Sequence, residues 1–200
     1  IAGLTPKAYA AAQRGRRVQD ALARSGTVTE AIYEAGYNSG GREIAKTLAR
    51  KVLAEFRDCD YVVAPSGSCS GQMKVATVHD LFKGEPDLPE FEKLAAKWHE
   101  LSDFLVNVLK VAGVPGEFHG KVTYHDCCAG LREMGVKTQP RALLQTMPGV
   151  TLQEMAEPET CCGFGGTFSI KFGEISARLA DNKCQHVETC GADAVVLGDL

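Results

Sequence analysis

The sequence predicts an α/β fold, a mainly parallel sheet with flanking helices, preceded by a short all-α segment of helix-turn-helix outline. Three observations carry this expectation. From Arg42 onward, stretches with apolar residues at helical spacing alternate with short β-branched runs. Two of those runs lead through a tight polar turn to a cysteine and a helical pattern, as DYVVAPSGSC and VTYHDCC. Residues 1–24 hold five basic side chains against one acidic, whereas residues 25–200 hold 17 against 24, so the chain changes character near its start. The expected boundaries are 1–40 for the helical segment and 41–200 for a cysteine-rich α/β region.

Composition narrows the field further. A chain of 200 residues with 44% hydrophobic and 24% charged side chains has the make-up of a folded globular protein, not of a disordered or fibrous one. Its net charge of −3 argues against wholesale coating of nucleic acid. No apolar run approaches the ~18 residues of a membrane span, and no export signal is read at the N-terminus. Eight cysteines in such a chain point to metal or redox chemistry in a reducing compartment, hence to the cytoplasm.

The elements follow in order. Thr5 and Pro6 open a basic helix that Ser25-Gly26 closes, and Thr27–Glu30 opens a second that ends at Gly36. This hairpin is either a solvated basic face or a DNA-binding unit. Ile44, Leu48, Val52 and Phe56 recur every four residues as the apolar face of a helix. Residues 60–64 read as a buried strand stopped by Pro65–Cys69. A long helix is expected over residues 89–111, burying Leu94, Trp98, Leu101, Leu105, Val108 and Leu109. Further strands are expected at 122–124, 150–155 and 194–197.

Residues 41–69 can be laid over 173–200: both start with an acidic-Ile helix and end in Asp-x-Val-Val. The first copy places Cys69 nine residues after Asp60, and the equivalent point after Asp193 falls at a notional position 202. By this symmetry the second copy is expected to be truncated just before its own cysteine.

Zinc sites favour paired C-x2–4-C knuckles, and thioredoxin-like redox sites need C-x-x-C; neither spacing occurs. Soft thiolates from separate loops, Cys69, Cys128 and the adjacent Cys161-Cys162, suit an iron–sulfur cluster, in which each iron takes its own sulfur ligand. The glycines after Cys162, beginning with Gly163, let the backbone close around it. Cys59, Cys184 and Cys190 are expected to be small buried hydrophobes. Arg132 and Glu133 read as a solvated helix face, and His79, His99, His119 and His186 show no metal spacing. His125-Asp126 either tunes the cluster through hydrogen bonds or stabilises the turn.

Two resemblances extend this reading. LTPKAYAAAQRGRRVQDALARSGTVTEAIYEAGYNS, over about residues 3–39, resembles the last helix-turn-helix repeat of AraC-class regulators of the Ada type. It stops before the DNA-reading helix, so specific nucleic-acid binding is not expected. Tyr37-Asn38-Ser39 looks like the seam. Cys128, 32 intervening residues and then Cys161-Cys162-Gly163 resemble the "CCG" module of the heterodisulfide reductase B subunit and of glycolate-oxidase iron–sulfur subunits. The flanks YVVAPSGSC, YHDCCAGLREMGVKTQPRALL, ETCCGFGGTFSIKFGEIS and GADAVVLGDL are similar to the lactate-utilisation iron–sulfur protein A family over about 37–200.

That resemblance implies a CCG-type α/β fold and a cytoplasmic electron-carrying subunit of an L-lactate oxidation complex, with other subunits as partners. It implies a cluster, expected to be [4Fe–4S], on Cys128, Cys161 and Cys162, and makes Cys69 the closing cysteine of a first module. Cys127 stands where the family usually has serine, and is either a substitute ligand or incidental. The resemblance also places the last ligand just after Leu200. Two rival readings are a DNA-binding regulator fragment and a non-functional fusion with an incomplete site.

Overall fold

The computed structural model describes residues 39–165 and 167–199. The basic helices expected before Gly36, and the Tyr37-Asn38 part of the seam, lie outside the described residues. The chain divides into two compact units, 1–51 and 52–200, and the division falls inside the first described helix, α1 (Ser39–Phe56).

Helix α1 forms where expected, but its apolar row is not one buried face. Ile44 is 63% and Leu48 55% exposed. A four-residue spacing advances 400° around a helix of 100° per residue, so the row drifts by about 40° at each step. At its end Val52 and Leu53 pack on the core formed by Val62, Leu94 and Trp98, and the Phe56 ring meets Trp98 edge-on at 6.0 Å.

Strand β1 (Val62–Ala64) is shorter than expected and is followed by α2 (Gly67–Gly71), which runs directly into π-type turns over Gln72–Leu81. Phe82 and Phe91, both fully buried, then stack at 3.9 Å and fix helix α3 (Leu88–Ala96). The single helix expected over 89–111 is corrected here. It is three elements: α3, strand β2 (Trp98–Glu100), and α4 (Leu101–Asp103), which continues into π-type turns over Phe104–Val108. The reason is pairing. β2 is the parallel partner of β1, with Val62 opposite Trp98, so the Trp98 backbone serves a ladder rather than a helix. Glu100 then caps the new helix start, accepting from Ser102 N at 2.8 Å and Asp103 N at 3.1 Å. Leu101 and Leu109, expected inside, are exposed.

The second sheet is parallel throughout. β3 (Gly120–His125) lies between β4 (Val150–Leu152) and β5 (Ala194–Leu197), with Gly120 opposite Val150 and Val122 opposite Ala194. As a central strand it buries both faces, Val122 and Tyr124 on one and Thr123 and His125 on the other. Helices α5 (Cys128–Arg132), α6 (Thr138–Gln145), α7 (Thr167–Lys171) and α8 (Gly173–Thr189) complete the unit. The α/β class therefore holds, with two parallel sheets of two and three strands among the described residues in place of one. Both copies of the internal repeat are a helix followed by a parallel strand, α1–β1 and α8–β5. Among the described residues no helix is long and apolar enough to cross a membrane.

Candidate functional site

The site is built where β3 ends. Asp126 is fully buried and takes both guanidinium N–H groups of Arg141 at 2.8 Å, which fixes the turn. Cys127 is the N-cap of α5: its Sγ accepts from Gly130 N at 3.3 Å. Cys128 is the first helical residue. Helix α2, carrying Cys69, packs on α5 through glycines. A Cβ at Gly67 would lie 2.7 Å from both Gly130 Cα and Cys127 Sγ, so only glycine permits this approach. Beyond β5, Asp199 accepts from Ser66 Oγ and, at 2.9 Å, from Ser68 N, tying the end of the second repeat to the turn of the first.

The loop carrying Cys161 and Cys162 is held at its base. The Pro158 carbonyl accepts from Asp126 N at 3.3 Å, His125 Nδ1 at 3.2 Å and Lys183 Nζ at 3.3 Å, and Lys183 also donates to Glu157 O at 2.7 Å. The His125 bond places the ring proton on Nδ1, and burial, reinforced by the Lys183 charge, holds its pKa below the usual histidine value. The loop then turns at Gly163 (φ +81°), whose N–H donates to Cys161 Sγ at 3.4 Å and whose carbonyl accepts from Ser176 Oγ at 2.8 Å. A Cβ there would meet Ser176 O at 2.2 Å, so this glycine is the contact between loop and α8.

Burial, then the neighbouring Cys161 thiol, raises the Cys128 pKa. Burial also raises that of Cys127, against the opposing bond from Gly130 N. A cavity of about 750 Å³ opens beside them, lined by His125, Cys127, Cys128, Cys162, Lys183 and Cys184, with Phe164, Val187, Val195 and Leu197 as apolar wall.

The expected residues thus divide. Cys127, Cys128 and Cys162 share the cavity wall, Cys161 neighbours Cys128, and Gly163 is buried behind them. Cys69 is exposed and off the wall, which its neighbour Ser68 reaches. Two residues were not expected at the site. Cys184, read as a buried hydrophobe, is exposed on the cavity, and Lys183 precedes it. Their signal is the spacing of 180, 183, 184 and 187 along one helix face, legible only once that face is known to meet Gly163. Cys59 is also exposed and Cys190 half-buried, contrary to the buried-hydrophobe expectation. Of the two roles open to Asp126, the turn-stabilising one is observed; Arg132 and Glu133 are exposed as expected.

Among the described residues no three Cys, His, Asp or Glu side chains converge to hold a single metal ion. The donor set does fit an iron–sulfur cluster: soft thiols in two adjacent pairs, spread around a cavity, with backbone N–H groups bonded to two sulfurs.

Residues 34–74 and 122–199, the stretches that carry both cysteine helices and the Gly163 loop, match the sequence model of the CCG cysteine-rich domain. Fold and site together define a CCG-type cysteine-rich protein. The chain is 43% identical over 164 residues to lactate utilization protein A of Geobacillus kaustophilus (strain HTA426), covering 82% of this chain and 68% of the relative. For the protein of the same name from Oceanobacillus iheyensis the values are 44% over 166 residues, 82% and 67%. For that of Halalkalibacterium halodurans they are 41% over 195 residues, 92% and 78%. The chain belongs to the lactate utilization protein A family, as the resemblance of its cysteine motif and flanks implied.

Proposed function

We propose that this chain is an iron–sulfur electron-transfer subunit of a cytoplasmic L-lactate oxidation complex, in which other subunits bind and oxidise the hydroxy acid. The observation that carries the reading is the meeting of two adjacent cysteine pairs, Cys127-Cys128 and Cys161-Cys162, from separate loops beside one cavity. Cys128, Cys161 and Cys162 are the ligands of a [4Fe–4S] cluster in this reading, with Cys127 as an auxiliary thiol and Cys69 as the closing cysteine of a neighbouring module. Such a cluster supplies one-electron storage when bound. The chain's own residues supply the rest. The Gly130 and Gly163 N–H groups bond to sulfur and favour the thiolate form, the apolar wall lowers the local dielectric, and Asp126 and His125 hold the two loops in register.

Anaerobic reconstitution of the full chain with iron and sulfide tests this. The expected product is brown, contains iron and acid-labile sulfide in equal amounts, and loses its colour on acid treatment. Cys162→Ser and Cys128→Ser should each lower the iron retained per chain. Failure of the unsubstituted chain to bind iron, or full retention in a Cys128→Ser/Cys161→Ser/Cys162→Ser variant, would overturn the proposal.

A further inference from the structure

A buried cation stands on the wall of the thiol cavity, and the cysteine motif does not account for it. Lys183 is 7% exposed. Its Nζ donates to two neutral carbonyls, Glu157 O and Pro158 O, three or more residues ahead of Cys161-Cys162. Burying an ammonium is unfavourable unless negative charge or good acceptors stand near it. Here burial does depress the Lys183 pKa, opposed by the neighbouring Cys162, Asp126, Glu157 and Cys128 side chains. Lys183 thus bonds to the backbone of the Glu157-Pro158 turn and stands on the same cavity wall as Cys128 and Cys162.

The clamp has a clear mechanical sense. Glu157 adopts φ +47°, a left-handed conformation that L side chains rarely take, so the turn needs outside support. Lys183 supplies it from α8, while His125 and Asp126 supply it from the end of β3. Loop, strand end and helix meet at the Pro158 carbonyl, and all three carry cysteines of the site.

We propose that Lys183 is a positioning residue of the cysteine site: it holds the Glu157-Pro158 turn so that Cys161-Cys162 meet Cys127-Cys128, and it keeps a positive charge beside the thiolates. The clamp stands on the geometry alone; the charge role rests on the iron–sulfur reading. A cation next to a cluster favours the more negative, reduced form, so its loss makes the cluster harder to reduce.

The test uses the full chain with Lys183→Met, which removes charge and clamp, Lys183→Arg, which keeps the charge, and Lys183→Gln, a neutral donor retained in case the methionine variant does not fold. In the metal-free proteins, alkylation of Cys161 and Cys162 by iodoacetamide is followed by peptide mass spectrometry across pH, so that the plateau rate, reached at full ionisation, reports access to the thiols alone. Loss of a charge-assisted bond should speed it about tenfold in Lys183→Met, with Lys183→Arg close to the unsubstituted chain. In the reconstituted proteins, the midpoint potential is read by titration with EPR detection. Both neutral variants should shift it negative by about tenfold in the reduced-to-oxidised ratio, and Lys183→Arg should restore it. Unchanged alkylation in both neutral variants would overturn the clamp. An unchanged potential at full iron content would overturn the charge role. Absence of iron from the unsubstituted chain would instead defeat the iron–sulfur reading, and the alkylation rates would still decide the clamp.

Discussion

Replacing Arg141 by methionine tests the interaction on which the Cys127-Cys128 turn depends. The Asp126 side chain has no exposed surface, and its two oxygens take Arg141 Nη1 and Nη2 at 2.8 Å each. Among the described residues no other side chain is bonded to that carboxylate. Arg141 is better supplied: Nε and Nη2 reach Glu154 at 2.6 and 3.1 Å, Nη1 reaches Lys137 O at 2.7 Å, and the guanidinium lies 5.1 Å from the Tyr124 ring centroid. Removing one member of a buried ion pair costs about 3–5 kcal/mol, chiefly because the other charge is left uncompensated.

The unequal surroundings of the two partners set an order within that range. Arg141→Met leaves Asp126 buried without its counter-ion and belongs near the top, about 5 kcal/mol. Asp126→Asn leaves Arg141 still paired with Glu154 and belongs near the bottom, about 3 kcal/mol. Glu154 is 43% exposed, so Glu154→Gln should cost no more than about 1 kcal/mol. Urea unfolding followed by circular dichroism measures all three. Against a total stability of roughly 5–15 kcal/mol these are large differences, and the first two variants should also release iron more readily. A loss below about 1 kcal/mol for Arg141→Met, or a larger loss for Glu154→Gln than for Arg141→Met, would refute the reasoning.

Two further predictions concern other parts of the unit. Gly163→Ala must place a Cβ 2.2 Å from Ser176 O at a positive φ. The left-handed backbone and the overpacking together should destabilise by about 2–4 kcal/mol and lower the iron retained, and a variant of unaltered urea midpoint would contradict this. Asp103 is partly desolvated, which alone would raise its pKa, but bonds from Asn107 at 2.6 Å and Gln139 at 3.1 Å, with His99, outweigh burial and hold it below its ordinary value. A carboxyl depressed in the folded state adds stability above its unfolded pKa of about 3.9 and loses it as pH falls through the folded value. Asp103→Asn should therefore narrow the gap between urea midpoints at neutral and at strongly acid pH; an undiminished gap would count against it.

Much of this architecture is legible in the sequence because local signals and tertiary demands coincide. Val122–Tyr124 and Ala194–Leu197 are β-branched runs that do become strands, and the Cys127-Cys128 turn follows one of them as expected. Trp98 is different. Its three-residue strand sits between two helices, has no period of its own, and exists because β1, 36 positions earlier in the chain, needs a partner. The exposure of Ile44 and Leu48 reflects a row of four-residue spacing that spirals off any one face. Lys183 and Cys184 were illegible for a related reason. A helix states which residues share a face, but only the Gly163–Ser176 contact states which face meets the thiols.

The parallel sheet explains why the thiols meet at all. In β4-β3-β5 every strand points the same way, so the chain leaving β3 and the chain leaving β5 emerge on one side. Leaving β3 gives Cys127 and Cys128; leaving β5 gives Asp199, which reaches across to Ser66 and Ser68 at the start of the helix that carries Cys69. Asp193 fixes the register of that second exit, accepting from Lys121 N at 2.8 Å while its own N–H donates to Lys121 O at 2.8 Å. The repeated Asp-x-Val-Val thus has a physical purpose in its second copy: it locks β5 to the strand that ends in the cysteines. The loop with Cys161 and Cys162 follows no such strand directly. It must be brought in by its own contacts, which is why the Pro158 carbonyl gathers three donors and why Gly163 has no room for a side chain. Two thiols are placed by topology and two by the contacts of their own loop at Pro158 and Gly163.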